Sequence, residues 1–194
     1  MDLPRLDERF VARHATMKDA ESVTELVNIC SRATLGHDTM DVASVKNDWS
    51  SPYNKPETNL RLVLDGDRPV GYAGVWLEPP AVNVYGWVRV HPDYRNQGIG
   101  HYLLTWLETM VPDRAFEMAP PDARVVLRQE RPATDEMGCG LLEAHGYRVV
   151  RYGFRMAIEL DAVPPPPELP DGVRFTTFDR RRQLPALVRA EADI

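Results

Sequence analysis

A mixed α/β fold, with a sheet of α+β character, is predicted by three features of the sequence. Residues 59–78 alternate Leu60, Leu62 and Leu64 along one face, turn at Asp65-Gly66-Asp67 and continue in a second β-rich run, the pattern of a hairpin. Residues 82–90 alternate again, and Ile99, Leu103, Trp106, Leu107 and Met110 then recur at helical spacing. The third feature is bulk. With 194 residues, 43% of them hydrophobic and 27% charged, the chain has the composition of a folded protein and the length for one domain with a sizeable core plus something extra.

The elements follow in order. Residues 10–28, FVARHATMKDAESVTELVN, open with a short strand-like run and reach Thr16, whose hydroxyl can accept a hydrogen bond from a free first-turn N–H. Asp19 adds charge favourable to the helix dipole, so a helix follows with Val23, Leu26 and Val27 inward. TMDVASVKNDW, residues 39–49, reads as a second short helix before the loop containing Pro52 and Pro56. After the hairpin, Val82, Val84, Val88 and Val90 share one face of a third strand, with Tyr85, Trp87 and Arg89 on the other. Beyond the helix at 99–110, ARVVLRQE is a compact strand, TDEMGCGLLEAHG a short helix stopped by Gly146, and residues 147–160, YRVVRYGFRMAIEL, a long final β run. The order is βααβββαβαβ. Residues 163–172, VPPPPELPDG, form a semi-rigid linker by composition. Residues 173–194 then repeat the strand, turn and helix start of the N-terminus, which reads as the incomplete start of a second, similar domain after a first domain of residues 1–162.

Composition narrows the function classes. The N-terminus has no apolar core of a leader, and no uninterrupted apolar stretch approaches the ~20 residues that span a bilayer. Cys30 and Cys139 lie far apart without metal spacing, which suits reduced thiols in a cytoplasm better than a disulfide framework or zinc site. A net charge of -6 argues against broad attraction to nucleic acid and favours a cationic or neutral small partner.

The chemistry concentrates in HPDYRNQGIGHYLLTWLETM, residues 91–110. A strand running through a turn into a helix presents unpaired N–H groups and the positive end of the macrodipole, which together make an anion site. Gly98 and Gly100 remove β-carbons that would hold a phosphate off the backbone, and Arg95 adds a cationic donor at the rim. No Gly-Lys-Ser/Thr follows, and only one G-x-G is present outside any early βαβ unit, so neither a nucleotide-hydrolysing loop nor a dinucleotide fingerprint fits.

The run VRVHPDYRNQGIGHYLL, residues 88–104, closely resembles the acyl-CoA signature of the GCN5-related N-acetyltransferases, the GNAT superfamily. In that signature Arg or Gln is followed by two residues, Gly, one residue, and Gly or Ala, filled here by Arg95, Asn96, Gln97, Gly98, Ile99 and Gly100. The likeness extends over about residues 10–160, and the linker with its second opening resembles tandem, mycothiol-synthase-like members. It implies a central, twisted, mostly antiparallel sheet flanked by helices, with a splay between the fourth and fifth strands. It also implies acetyl-CoA as co-substrate without a metal. The pyrophosphate would lie on N–H groups at Gln97, Gly98, Gly100 and His101, with Arg95 and Asn96 beside them, and pantetheine would pair with the backbone of Val88, Arg89 and Val90. An unprotonated primary amine of a small molecule would attack the thioester directly, with a backbone N–H stabilising the oxyanion.

The acceptor half departs from the family pattern. Residues 82–90 contain no Asp or Glu to act as base, which leaves Glu78 and Glu130, acting through water, and Tyr85 as candidate catalytic residues. Leu142 stands where the family often has a thiolate-protonating Tyr; Tyr147 and Tyr152 are nearby in sequence but read as packing residues. His91 reads as a loop residue, Arg128 as a strand residue, and Cys139 has no partner His at defined spacing for nucleophilic work. These departures support an alternative expectation, an acyl-CoA-binding domain of weak activity with a structural or regulatory role in a tandem protein. Homodimerisation, or packing against a second such domain, is the expected assembly; no nucleic acid or membrane is implicated.

Overall fold

The computed structural model describes residues 2–192. Strand β1 is Phe10–His14. The chain then enters a single 3₁₀ turn, Met17–Asp19, that leads into helix α1, Ala20–Leu35. The Asp19 carboxylate reaches back to the Thr16 N–H at 2.8 Å and hydroxyl at 2.9 Å, closing a capping box over the exposed N–H groups. Arg13 adds two bonds to it, at 2.7 and 2.8 Å, and these hold the Asp19 pKa down at about 2. Protonation therefore favours the unfolded chain, where the carboxyl titrates near its ordinary value of 3.8. The stabilisation, about 1–2 kcal/mol after allowance for the solvent-exposed Arg13, is complete above pH ~4 and lost as pH falls toward 2. In Asp19→Asn, acid unfolding followed by circular dichroism is expected to lose this part of its slope while stability at neutral pH falls by the same amount.

Helix α2, Val42–Trp49, opens on Asp41, whose carboxylate accepts from the Ser44 N–H at 2.9 Å. A one-turn helix α3, Pro56–Asn59, then feeds the predicted hairpin, β2 at Leu60–Asp65 and β3 at Arg68–Trp76. Strand β4 is Asn83–Val90, helix α4 Ile99–Phe116, strand β5 Val126–Arg128 and helix α5 Glu136–Ala144. The sheet runs β1-β2-β3-β4-β5, with antiparallel pairs throughout except the parallel β4–β5.

Alternation decides which helix covers which face. Leu60, Leu62, Leu64 and Tyr72 pack with Val23, Leu26, Val45 and Trp49 under α1 and α2. Val63, Ala73, Val75, Val84 and Val88 meet Ile99, Leu103, Leu104 and Leu107 of α4 on the other side. Helix α4 can approach closely because Gly71 presents no side chain: a β-carbon there would fall 2.6 Å from Ile99 Cγ2.

One mismatch in strand length positions the site. Among the described residues strand β5 pairs only with Asn83, Val84 and Tyr85, so the second half of β4 has β3 on one side and no described strand on the other. Val82 O accepts from Val126 N across the gap side, while His91 N donates to Val70 O on the β3 side. By period two, the N–H and C=O groups of Val88 and Val90 face the open edge and those of Arg89 face β3. This is the expected splay between the fourth and fifth strands.

The predicted final β run does not form. Residues 147–160 carry no strand, and Val150, Tyr152, Phe154, Met156 and Ile158, which alternate as a strand should, are exposed. Alternation prescribes two faces, but a strand also needs a neighbour for its backbone groups, and none pairs with this segment among the described residues. The chain divides into two compact units, Met1–Val150 and Arg151–Ile194. Within the second unit the expected strand in 173–178 is likewise absent, and a helix, α6 at Arg180–Ala192, follows Asp179, which accepts from the N–H of Arg181 at 3.0 Å. Among the described residues no helix is long and apolar enough to cross a membrane.

Candidate active site

At the end of β4, His91 caps a short 3₁₀ turn, Pro92–Tyr94, its Nδ1 accepting from the Asp93 N–H at 3.2 Å. The ring is 5% exposed and packs edge-on against Tyr94; burial pushes its pKa below the ordinary imidazole value. His91 is thus a structural part of the loop, as its position before Pro92 predicted. Asn96 and Gly98 then take φ of 60° and 80°, turning the chain so that Gly98 becomes the N-cap of α4. This is left-handed backbone, tolerated by Asn and natural for Gly. A β-carbon on Gly98 would meet nothing within 4 Å, whereas one on Gly100 would fall 2.9 Å from Leu141 Cδ2. The two glycines therefore do different work: Gly98 supplies the turn, and Gly100 lets α5 pack against α4.

This loop borders a cavity of about 320 Å³, lined by Val88, Val90, Arg95, Asn96, Gly98, Gly100 and His101 from the predicted set and by Arg131, Asp135 and Leu141 from α5 and the segment before it. Gln97 and Ile99 stand apart. The Gln97 side chain bonds Arg9 and the Asp93 carbonyl, and Ile99 is fully buried in the core, so only their backbone groups are available to the loop. His101 is held by a chain of polar contacts that sequence reasoning missed: its Nδ1 meets His145 Nε2 at 2.7 Å, and His145 Nδ1 meets Glu108 at 3.0 Å. Because a carboxylate accepts only, His145 donates to it from Nδ1.

A second missed cluster crosses the gap. Asp135, 5% exposed, accepts from Arg131 at 2.8 Å, lies 3.5 Å from Arg95 and caps α5 through the Gly138 N–H at 3.3 Å. Arg131 Nη2 donates to Val88 O at 2.7 Å, and Arg89 Nη1 reaches the same carbonyl at 3.0 Å. Gly138 is required here, since a β-carbon would fall 2.8 Å from Arg131 Nη1. Val88 and Arg131 lie 43 positions apart in sequence, so no local spacing announces their contact.

On the α1–α2 face lies another cavity, of about 330 Å³, whose walls include Val27, Met40, Trp49, Tyr72, Trp76, Tyr85, Trp87, Arg89 and Glu130. Consecutive residues serve opposite cavities: Val88 and Arg131 line the first, Arg89 and Glu130 the second. The two cavities therefore abut across the gap beside β4. Of the predicted catalytic candidates, Tyr85 and Glu130 reach the second cavity, whereas Glu78 is exposed in the loop after β3, bonded to the Trp76 indole at 3.1 Å, and lines neither.

Other groups are chemically quiet. Leu142 and Tyr147 pack on the core, and burial drives the Tyr147 pKa up to about 12, which keeps its phenol protonated; Tyr152 is exposed. Cys30 is buried, donates to Val90 O at 3.3 Å, and burial raises its pKa, which keeps the thiol protonated. Both cysteines are free. Among the described residues no group of three or more His, Cys, Asp or Glu is arranged to hold a metal.

Comparison with known proteins matches residues 20–124 to the acetyltransferase (GNAT) family model. A mycothiol acetyltransferase of Thermobispora bispora is 30% identical over 131 residues, covering 68% of this chain and 39% of its own length. One from Streptosporangium roseum is 27% identical over 175 residues, 90% of this chain and 44% of its own. The chain thus spans less than half the length of these relatives. A crystal structure of a GCN5-related N-acetyltransferase from Sphaerobacter thermophilus, 29% identical, superposes with a TM-score of 0.79 over 96% of this chain and 58% of that one. A Salmonella typhimurium acetyltransferase structure with its cofactor acetyl-CoA, 18% identical, gives 0.57 over 74% and 82%, a likeness of fold.

Proposed function

Because this chain belongs to the acetyltransferase (GNAT) family, we propose that the unit Met1–Val150 binds acetyl-CoA and transfers its acetyl group to the primary amine of a small molecule. The observation that carries the reading is the open edge of β4 leading straight into the left-handed turn at Gly98 and the N-terminus of α4. An extended amide chain can pair with Val88 and Val90, and a pyrophosphate can rest on the N–H groups of Gly98, Ile99, Gly100 and His101 with Arg95 and Asn96 beside it. The thioester then lies in the gap where the two cavities abut, with its acyl carbon accessible from the aromatic one.

Glu130, the carboxylate candidate on that side, takes a proton from the amine through water. The nitrogen lone pair attacks the carbonyl carbon, the C–S bond breaks with its electron pair leaving on sulfur, and the proton lost by nitrogen balances the one the thiolate gains from solvent. A backbone N–H facing the gap, on Val88, stabilises the oxyanion. Tyr85, 47% exposed at the mouth, orients the acceptor.

A second reading has an observation of its own. Strand β4 carries no carboxylate, and two guanidiniums occupy the Val88 carbonyl that pantetheine would use. A domain that binds acyl-CoA without turnover, serving a structural or regulatory role in a tandem protein, fits those facts. Incubation with acetyl-CoA and a panel of primary amines, with free thiol as readout, separates the two. Amine-dependent CoA release is expected; cofactor binding without release across the panel favours the second reading.

A further inference from the structure

The charges around the gap do not cancel. Arg89, Arg95, Arg131 and Asp135 all act electrostatically on the Cys30 thiol, and Glu130 lines the aromatic cavity with Arg89 without an ion pair to it. Asp135 is shared by Arg131 and Arg95, and Arg95 borders the cavity assigned to the cofactor phosphates. Arg89 is left over. Among the described residues its guanidinium bonds only the neighbouring carbonyl of Val88 and no carboxylate pairs with it; burial together with Arg131 lowers its pKa. A partly buried guanidinium that lacks an anion is costly, and most such groups in folded proteins are paired.

Arg89 lines the aromatic cavity and not the cofactor one. The other walls there include Trp49, Tyr72, Trp76 and Trp87, with the carboxylates of Asp48 and Glu130 and the carbonyl oxygen of Asn54, a buried acceptor with no partner among the described residues. An occupant that satisfies this set carries a carboxylate for the cation, N–H donors for the acceptors and an apolar body for the rings. Resting on the acetyl-CoA reading above, we propose that the acceptor is a free α-amino acid with a large apolar or aromatic side chain, its carboxylate held by Arg89. One carbon separates carboxylate from amine in such a molecule. Anchoring the carboxylate at the mouth of the gap therefore holds the nitrogen beside the thioester, where it forms the N–C bond as the C–S bond breaks and its proton passes to water.

The test compares matched acceptors that differ only in the carboxylate: L-tryptophan with tryptamine, L-phenylalanine with phenethylamine and L-leucine with 3-methylbutylamine. Steady-state CoA release by the full chain is expected to give kcat/KM at least ~30-fold higher for each amino acid, as a charge-assisted pair in an enclosed site implies. Arg89→Gln is expected to bring that ratio to near one and Arg89→Lys to leave it intermediate, with acetyl-CoA affinity of each variant measured separately by calorimetry. Acetylation of the amines at rates equal to or above the amino acids overturns the proposal while leaving acetyl-CoA chemistry intact. Turnover of none of the three amino acids overturns it as well. A preference for succinyl-CoA over acetyl-CoA with no discrimination among acceptors places the carboxylate on the donor and also overturns it. Absence of any acetyl-CoA binding is a different result, one that removes the underlying reading.

Discussion

Gly98→Asp is expected to weaken acetyl-CoA binding by at least ~100-fold while leaving the domain folded. The substitution meets open space, so it creates no overlap. Its backbone cost is the left-handed φ of 80°, which Asp adopts more readily than most residues, about 1 kcal/mol, or a few degrees in Tm for a unit of this size. The effect on binding is larger because a carboxylate is set at the N-terminus of α4, where the helix dipole and free N–H groups would otherwise face phosphate. Gly98→Ala, which adds the strain without the charge, is expected to lose less than ~10-fold. Calorimetric titration of both variants checks the ratio; equal losses would mean that the turn matters for its shape alone.

Asp135→Ala is expected to cost about 3–4 kcal/mol of stability, a fall in Tm of roughly 10 °C. Removing this buried carboxylate leaves Arg131, whose side chain is 11% exposed, without its ion pair and strips Arg95 of its neighbour. It also removes the cap that accepts from the Gly138 N–H, which contributes about 1 kcal/mol in other helices. Asp135→Asn retains an acceptor for the cap and is expected to recover that part. Denaturant unfolding monitored by circular dichroism reads both; a cost below ~1 kcal/mol for the alanine variant would show that water replaces the carboxylate freely.

The hairpin and β4 were legible because each has two faces in different environments, and the side chains record the difference: Tyr85, Trp87 and Arg89 do lie opposite Val84 and Val88. The run 147–160 has the same alternation and forms no strand, since pairing depends on a neighbour that alternation does not describe. Within the site, the loop was readable from local backbone needs, above all Gly98. Arg131, Asp135, His145 and Glu108 reach it only through the packing of α5 on α4, and their spacing carries no signal. The net charge of -6 suggested a cationic or neutral partner, but net charge averages the whole surface, and Arg89, Arg95 and Arg131 gather within electrostatic reach of one thiol, Cys30.

The central claim is that the open edge of β4 and the loop at Gly98 together seat acetyl-CoA. It is tested most directly by following backbone amide resonances of the isotopically labelled protein during titration with acetyl-CoA. The largest shifts are expected at Gly98, Ile99, Gly100 and His101 and at Val88 and Val90. Saturating shifts confined to other residues, or none at millimolar cofactor, would contradict it.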